Sequence, residues 1–164
     1  SLFLDICQGL QHLHRNYVLH RDLKPSNILL TSDAAGGWRA VLSDFGTSEL
    51  AGEIAANQHT GFTGTIEYTA PEILQGDHVF TEQADLWSLG ILLYALCYSS
   101  VPYSDPDVQV CASLIRNHYA LVLPESPPRE NHLKDLILAL TNKDPTLRPS
   151  CNDILFHPFI RTIR

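Results

Sequence analysis

The stretch His20-Arg21-Asp22-Leu23-Lys24-Pro25-Ser26-Asn27 puts a carboxylate, an ammonium two residues on and an amide five residues on into one tight segment. Asp22 can orient and deprotonate a hydroxyl, Lys24 can neutralise a phosphate oxygen, and Asn27 can offer an amide oxygen to a divalent cation. Any one of these residues alone reads as part of a polar surface turn. Seventeen residues after Asn27 comes Asp44-Phe45-Gly46, a second carboxylate followed by an aromatic anchor and a hinge glycine. Such a carboxylate can hold Mg²⁺ between phosphates. By itself this tripeptide is an ordinary turn.

The elements around these residues must position them. Phe3, Ile6, Leu10 and Leu13 recur at helical spacing, so the chain opens in an amphipathic helix. Tyr17-Val18-Leu19, Asn27 to Leu30 and Arg39 to Leu42 are short β-prone stretches, and the last two read as a small hairpin around Gly36-Gly37. From Ser43 to Pro71 there is little periodicity, and a long irregular stretch inside a compact domain is usually functional or disordered. Thr81 reads as the N-cap of a helix through Leu86, Trp87 and Leu89 to Leu96, apolar almost all round and therefore buried. Asp107 to Arg116, Asn131 to Leu140 and Ser150 to Phe156 read as three more helices, punctuated by prolines.

Two further stretches follow in order: Gly64-Thr65-Ile66-Glu67-Tyr68-Thr69-Ala70-Pro71-Glu72 and Asp85-Leu86-Trp87-Ser88-Leu89-Gly90. Four motifs in this order and spacing carry a specificity that none has alone. Over essentially all 164 residues the chain resembles the C-terminal lobe of a eukaryotic serine/threonine protein kinase, down to His157-Pro158-Phe159 near its end.

The resemblance implies a mainly α-helical lobe with a short β hairpin bearing the catalytic loop. It implies one unit, 1–164, with catalytic loop 20–27, activation segment 44–72 and helical subdomain 81–164. Asp22 matches the catalytic base and Lys24 the lysine on the transferring phosphoryl group. Asn27 and Asp44 match the metal-holding positions, and Leu29 the apolar residue beneath the adenine ring. Lys24 and Thr65 match the serine/threonine class, where the threonine hydrogen-bonds the aspartate and lysine. Asp85 matches a buried aspartate that braces the catalytic loop, and Glu72 and Arg148 a structural ion pair. The implied cofactors are ATP and Mg²⁺, and the implied partner is a protein substrate. Two other readings stand beside this one: a pseudokinase or scaffold binding protein partners, and a small-molecule phosphotransferase. The intact Asp22, Lys24, Asn27 and Asp44 disfavour the first, and the Thr65 to Glu72 segment disfavours the second.

Regulation is read from charge. Thr60 and Thr63 are the candidate phosphate acceptors, with Arg21 as the cation to meet them. Between Asp44 and Glu72 the sequence holds Glu49, Glu53 and Glu67 and no lysine or arginine. Glu49 stands where the family often has a second basic residue. Arg21 is therefore expected to be partly neutralised by a loop glutamate, with phosphorylation giving a modest gain.

Composition narrows the classes further. Hydrophobic residues are 45% and charged residues 18%, which excludes disorder and fibrous repeats. A formal charge of -7 argues against nucleic acid or an anionic membrane as the main partner. The longest apolar run, Ile91 to Tyr98, falls well short of the about twenty residues a membrane span needs. Cys7, Cys97, Cys111 and Cys151 are scattered, too dilute for a disulfide scaffold and without zinc-ligand spacing. They read as small buried thiols of an intracellular protein, in the cytoplasm or nucleus. His12 and His14, at i and i+2, flank a helix face and do not converge on a metal.

Two departures from the family stand out. No G-x-G-x-x-G follows a strand and no strand carries a V-A-I-K lysine, so the expectation is a fragment lacking the N-terminal lobe and inactive alone. With no initiating Met and no basic leader at Ser1, no signal peptide is expected. The hairpin is a few residues longer than the family's usual form, with Trp38 at its tip, and reads as a tolerated surface insertion.

Overall fold

The computed structural model describes residues 1–32, 36–44, 49–50, 65–76, 80–117 and 120–163. It is mainly helical. Helix α1 (Leu2–Arg15) is followed by β1 (Val18–Leu19), a one-turn 3₁₀ helix at Pro25–Asn27, and strands β2 (Ile28–Ser32) and β3 (Trp38–Leu42). Strand β4 (Glu49–Leu50), a 3₁₀ turn at Ile66–Tyr68 and helix α2 (Pro71–Leu74) come next. Helices α3 (Glu82–Tyr98), α4 (Val108–Asn117), α5 (Asn131–Leu140), α6 (Cys151–Phe156) and α7 (Pro158–Thr162) complete the chain. Among the described residues no helix is long and apolar enough to cross a membrane.

Helix α3 is the core element. Every residue from Ala84 to Tyr94 is buried, as expected for a helix that is apolar all round. Thr81 takes the N-cap position, but its side chain makes no cap hydrogen bond there. The helix ends at Ser99 in the left-handed region (φ 55), with its N–H donated to Ala95 O. Helix α5 crosses α3 at Gly90. A Cβ there would lie 2.7 Å from Leu140 Cβ and 2.8 Å from Thr141 Cγ2, so only glycine permits this approach.

Helix α1 buries Phe3, Ile6, Cys7 and Leu10. Its stripe continues to His14, which is only 6% exposed. The hairpin lies on α1: β2 and β3 pair antiparallel from Ile28↔Leu42 to Ser32↔Trp38. Ala40 and Leu42 face inward, Gly9 lets Leu42 approach, and the Ala40 N–H is donated to Asp5 Oδ2. Both strands extend beyond the stretches read from the sequence. Trp38 at the tip is exposed. The pairing of β1 with β4, Val18↔Leu50 and Leu19↔Glu49, has no counterpart in the hydrophobic pattern.

Helix α6 starts with a reciprocal capping box: the Ser150 N–H is donated to Asp153 Oδ2 and the Asp153 N–H to Ser150 Oγ. The Ser150 hydroxyl, which also donates to Asp153 Oδ2, and the Ser150 N–H hold the Asp153 carboxyl below its ordinary value. At His157 the backbone turns extended and Pro158 opens a separate helix, α7.

Glu72 and Arg148 form a bidentate pair, with Nη1–Oε1 at 2.6 Å and Nη2–Oε2 at 2.8 Å. The Arg148 side chain is fully buried and also donates to Asn142 O and Gln83 O, with its guanidinium over the Trp87 ring. This joins α2, α3 and the turn before α6.

Glu72→Ala leaves a buried guanidinium unpaired and is expected to cost about 3–5 kcal/mol; Glu72→Ala with Arg148→Met should recover part of that. Equal stability of Glu72→Ala and the parent in urea denaturation would contradict it. Gly90→Ala is expected to cost about 1–3 kcal/mol through overpacking, although alanine alone favours a helix by about 1 kcal/mol. A raised urea midpoint for Gly90→Ala would contradict the close crossing.

Candidate active site

The loop between β1 and β2 is built around a carboxylate from another element. Asp85, in the first turn of α3 and 2% exposed, takes the His20 N–H on Oδ2 at 2.9 Å and the Arg21 N–H on Oδ1 at 2.8 Å. Arg21 sits at φ 69, a left-handed conformation that a long side chain adopts only when its surroundings impose it. His20, fully buried, ties the loop to the far strand of the hairpin. Its Nδ1 accepts the Asp22 N–H at 3.4 Å, so Nε2 carries the ring proton and donates to Ser43 O at 3.1 Å. Ser43 in turn donates its N–H and its hydroxyl to Asn27 O. Loop and hairpin base therefore form one hydrogen-bonded unit.

That unit brings Asp22, Lys24, Asn27 and Thr65 together. Asp22 is 7% exposed, and its Oδ2 accepts from Lys24 Nζ at 2.8 Å and from Asn27 Nδ2 at 3.0 Å. Lys24 Nζ also donates to Thr65 Oγ1 at 2.8 Å, and the Thr65 N–H reaches Asp22 Oδ1 at 3.3 Å. Lys24 thus bridges the β1–β2 loop and the segment leading to α2. That segment is pinned to α3 by Ser88 Oγ, which donates to Tyr68 O at 2.7 Å.

The donor set suits a hard cation. Asn27 gives its amide hydrogens to Asp22 O, at 2.7 Å, and Asp22 Oδ2, which leaves Oδ1 as the amide atom available to a metal. Asp44, two residues past β3, presents an exposed carboxylate at φ 62, again left-handed. Oxygen ligands of this kind fit Mg²⁺, which usually takes one or two protein ligands and completes its shell with water and substrate phosphate. Among the described residues no group of three His, Cys, Asp or Glu side chains converges on one point. Leu29, on β2, is 56% exposed and stands across from the exposed Val41, an apolar platform beside Asn27.

The Arg21 guanidinium lies 4.5 Å from the centroid of the Phe80 ring. Thr60, Thr63, Phe45, Gly46 and Gly64 lie outside the described residues, as do the side chains of Glu49 and Glu53. The expected pairing of Arg21 with a loop glutamate therefore falls there too.

Two contributors escape the motif reading. His14 donates toward Asp85 Oδ2 at 2.9 Å from a buried position. Its place was visible as spacing, because Phe3, Cys7, Leu10 and His14 form one continuous stripe, whereas the i, i+2 relation to His12 points elsewhere. Phe80, under Arg21, carries no motif signal.

Comparison with known proteins agrees with this geometry. The protein kinase domain family model matches residues 1–160. A probable serine/threonine-protein kinase, iksA, of Dictyostelium discoideum is 35% identical over 99% of this chain and 20% of its own length. A mitogen-activated protein kinase kinase 5 of Leishmania mexicana is 38% identical over 93% of the chain and 30% of its own length. A calcium/calmodulin-dependent protein kinase kinase of Caenorhabditis elegans is 37% identical over 98% of the chain and 29% of its own length. The chain spans less than a third of these relatives. With the motif order, the helical architecture and the family match in agreement, this chain belongs to the protein kinase domain family.

Proposed function

We propose that the chain is the C-terminal lobe of a protein serine/threonine kinase, with an N-terminal lobe elsewhere in the parent protein. The parent transfers the γ-phosphoryl group of ATP to serine or threonine hydroxyls of proteins. The observation that carries the reading is the buried Asp22 carboxylate held jointly by Lys24, Asn27 and Thr65. A carboxylate fixed this way is suited to orient a hydroxyl and take its proton.

The two oxygens of Asp22 divide the work. Oδ2 is committed to Lys24 and Asn27, while Oδ1 carries one long bond from the Thr65 amide. Oδ1 is therefore the atom that receives the hydroxyl proton as the hydroxyl oxygen bonds to phosphorus and the β–γ bridging oxygen departs. Lys24 sits beside Asp22 and lends positive charge to the transferring oxygens. Asn27 Oδ1 and Asp44 would hold Mg²⁺, which supplies charge neutralisation on the phosphates. Most of the rate gain comes from positioning and electrostatics, with little covalent chemistry by the protein. The Lys24–Thr65 hydrogen bond supports the serine/threonine class, because it ties the phosphate-facing lysine to the segment expected to seat the peptide. All four cysteines are free thiols among the described residues, and three are buried, which suits a reducing cytoplasmic compartment.

The test uses the full-length protein. Asp22→Asn is expected to cut kcat by at least ~10²-fold, the low end of general-base contributions, and Asp44→Asn to abolish productive use of Mg²⁺. Parental rates on a serine peptide for either variant would contradict the assignment and favour a binding-only scaffold.

A further inference from the structure

The bracing of the catalytic loop does not stop at Asp85. His14 Nε2 lies 2.9 Å from Asp85 Oδ2, and on the other side of the ring Cys151 Sγ, in the first turn of α6, lies 3.6 Å from Nδ1. None of the three residues is more than 6% exposed. The row Cys151–His14–Asp85–His20/Arg21 runs unbroken from α6 to the catalytic loop.

Asp85 already accepts the His20 and Arg21 amides, so it serves as an acceptor and the ring proton facing it belongs to Nε2. Nδ1 then either accepts a hydrogen bond through its lone pair or carries a second proton. Two groups face it: the Cys151 thiol, and Glu82 Oε2 of α3 at 3.9 Å. The Glu82 side chain is half exposed and solvated, so the thiol is the buried partner. Burial, together with the Asp85 and Glu82 carboxylates, pushes the Cys151 thiol up to about 12, and neighbouring Cys7 is pushed up as well. Cys151 thus keeps its proton and is a donor at neutral pH. A Cys–His–Asp row also resembles a nucleophilic triad, but a buried, protonated thiol with no access is not a nucleophile.

We infer that Cys151 is a positioning residue: its S–H, donated to Nδ1, holds His14 as the neutral Nε2–H tautomer and so keeps Asp85 aimed at the catalytic-loop amides. A carbon side chain at 151 would leave Nδ1 buried and unsatisfied. The ring would then turn over, take the other tautomer or gain a proton, and each change alters the pull on Asp85 Oδ2.

The experiment uses the full-length protein with ¹⁵N-labelled histidine and compares the parent with Cys151→Ala and Cys151→Ser. In the parent at pH 7, His14 should show an unprotonated, hydrogen-bonded Nδ1 and a protonated Nε2. Cys151→Ala should replace this pattern with a mixture of ring forms, and Cys151→Ser, which keeps a donor, should restore it. The kinetic part rests on the phosphoryl-transfer reading. There, Cys151→Ala should lower kcat about two- to tenfold, the worth of one neutral hydrogen bond, at unchanged KM for ATP, with Cys151→Ser returning toward the parent. A doubly protonated His14 in the parent, or a His14 signal unmoved by Cys151→Ala, would overturn the inference. The tautomer readout needs no activity, so an inactive parent whose His14 responds as expected counts against the kinase reading alone.

Discussion

Asp85 accepts two backbone amides from a loop more than sixty residues away in sequence, and the geometry of the site depends on that contact. The Arg21 backbone is left-handed, a conformation that costs a non-glycine residue about 1–3 kcal/mol. A hydrogen bond to a charged acceptor is worth about 1.5–3 kcal/mol, and Asp85 makes one to Arg21 and another to its neighbour. The carboxylate therefore outweighs the strain it imposes. The reverse also holds: a carboxylate buried in an apolar helix would be costly without donors, and the loop amides with His14 supply them. Core and candidate site stabilise each other through this one group.

Everything that converges on Asp22 follows from that anchoring. With His20 and Arg21 fixed, Asp22 is carried to Lys24 and Asn27, and Asn27 O is tied through Ser43 to the end of β3, two residues before Asp44. The segment from Thr65 to Glu72 is held independently, by Ser88 at Tyr68 and by Arg148 at Glu72. Lys24 closes the gap between the two at Thr65. Helix α3 contributes to both halves through Asp85 and Ser88 in its first turns. Gly90 matters for the same reason, since it lets α5 pack closely behind the helix that holds both.

The cluster of Asp22, Lys24 and Asn27 was legible as a motif because its members are close in the sequence, and the fold brings them into direct contact. Long helices were legible because burial leaves a period: α5 begins and ends where the apolar pattern does. Other features leave no such trace. The two-residue strands β1 and β4 are too short for any alternation to register, and α2 is a single turn. The place of His14 on the stripe of α1 shows as spacing, but its partners Asp85 and Cys151 are distant in sequence. The Phe80–Arg21 stack joins two residues brought close only by the fold. Hydroxyl and thiol contacts such as Ser88 to Tyr68 and Cys151 to His14 likewise depend on tertiary placement, not on local pattern.

The measurement that bears most directly on this account is steady-state kinetics of Asp85→Asn in the full-length protein, alongside circular dichroism and a urea denaturation curve. Asparagine keeps the shape and one acceptor oxygen, but turns an amide donor toward groups that are themselves donors. The account predicts a folded protein whose kcat falls at least ~10-fold, the loss of one charge-assisted hydrogen bond at about 1.4 kcal/mol or more, with KM for ATP little changed. A folded Asp85→Asn protein with parental kcat would show that the catalytic loop holds its geometry without this carboxylate, and would contradict the account.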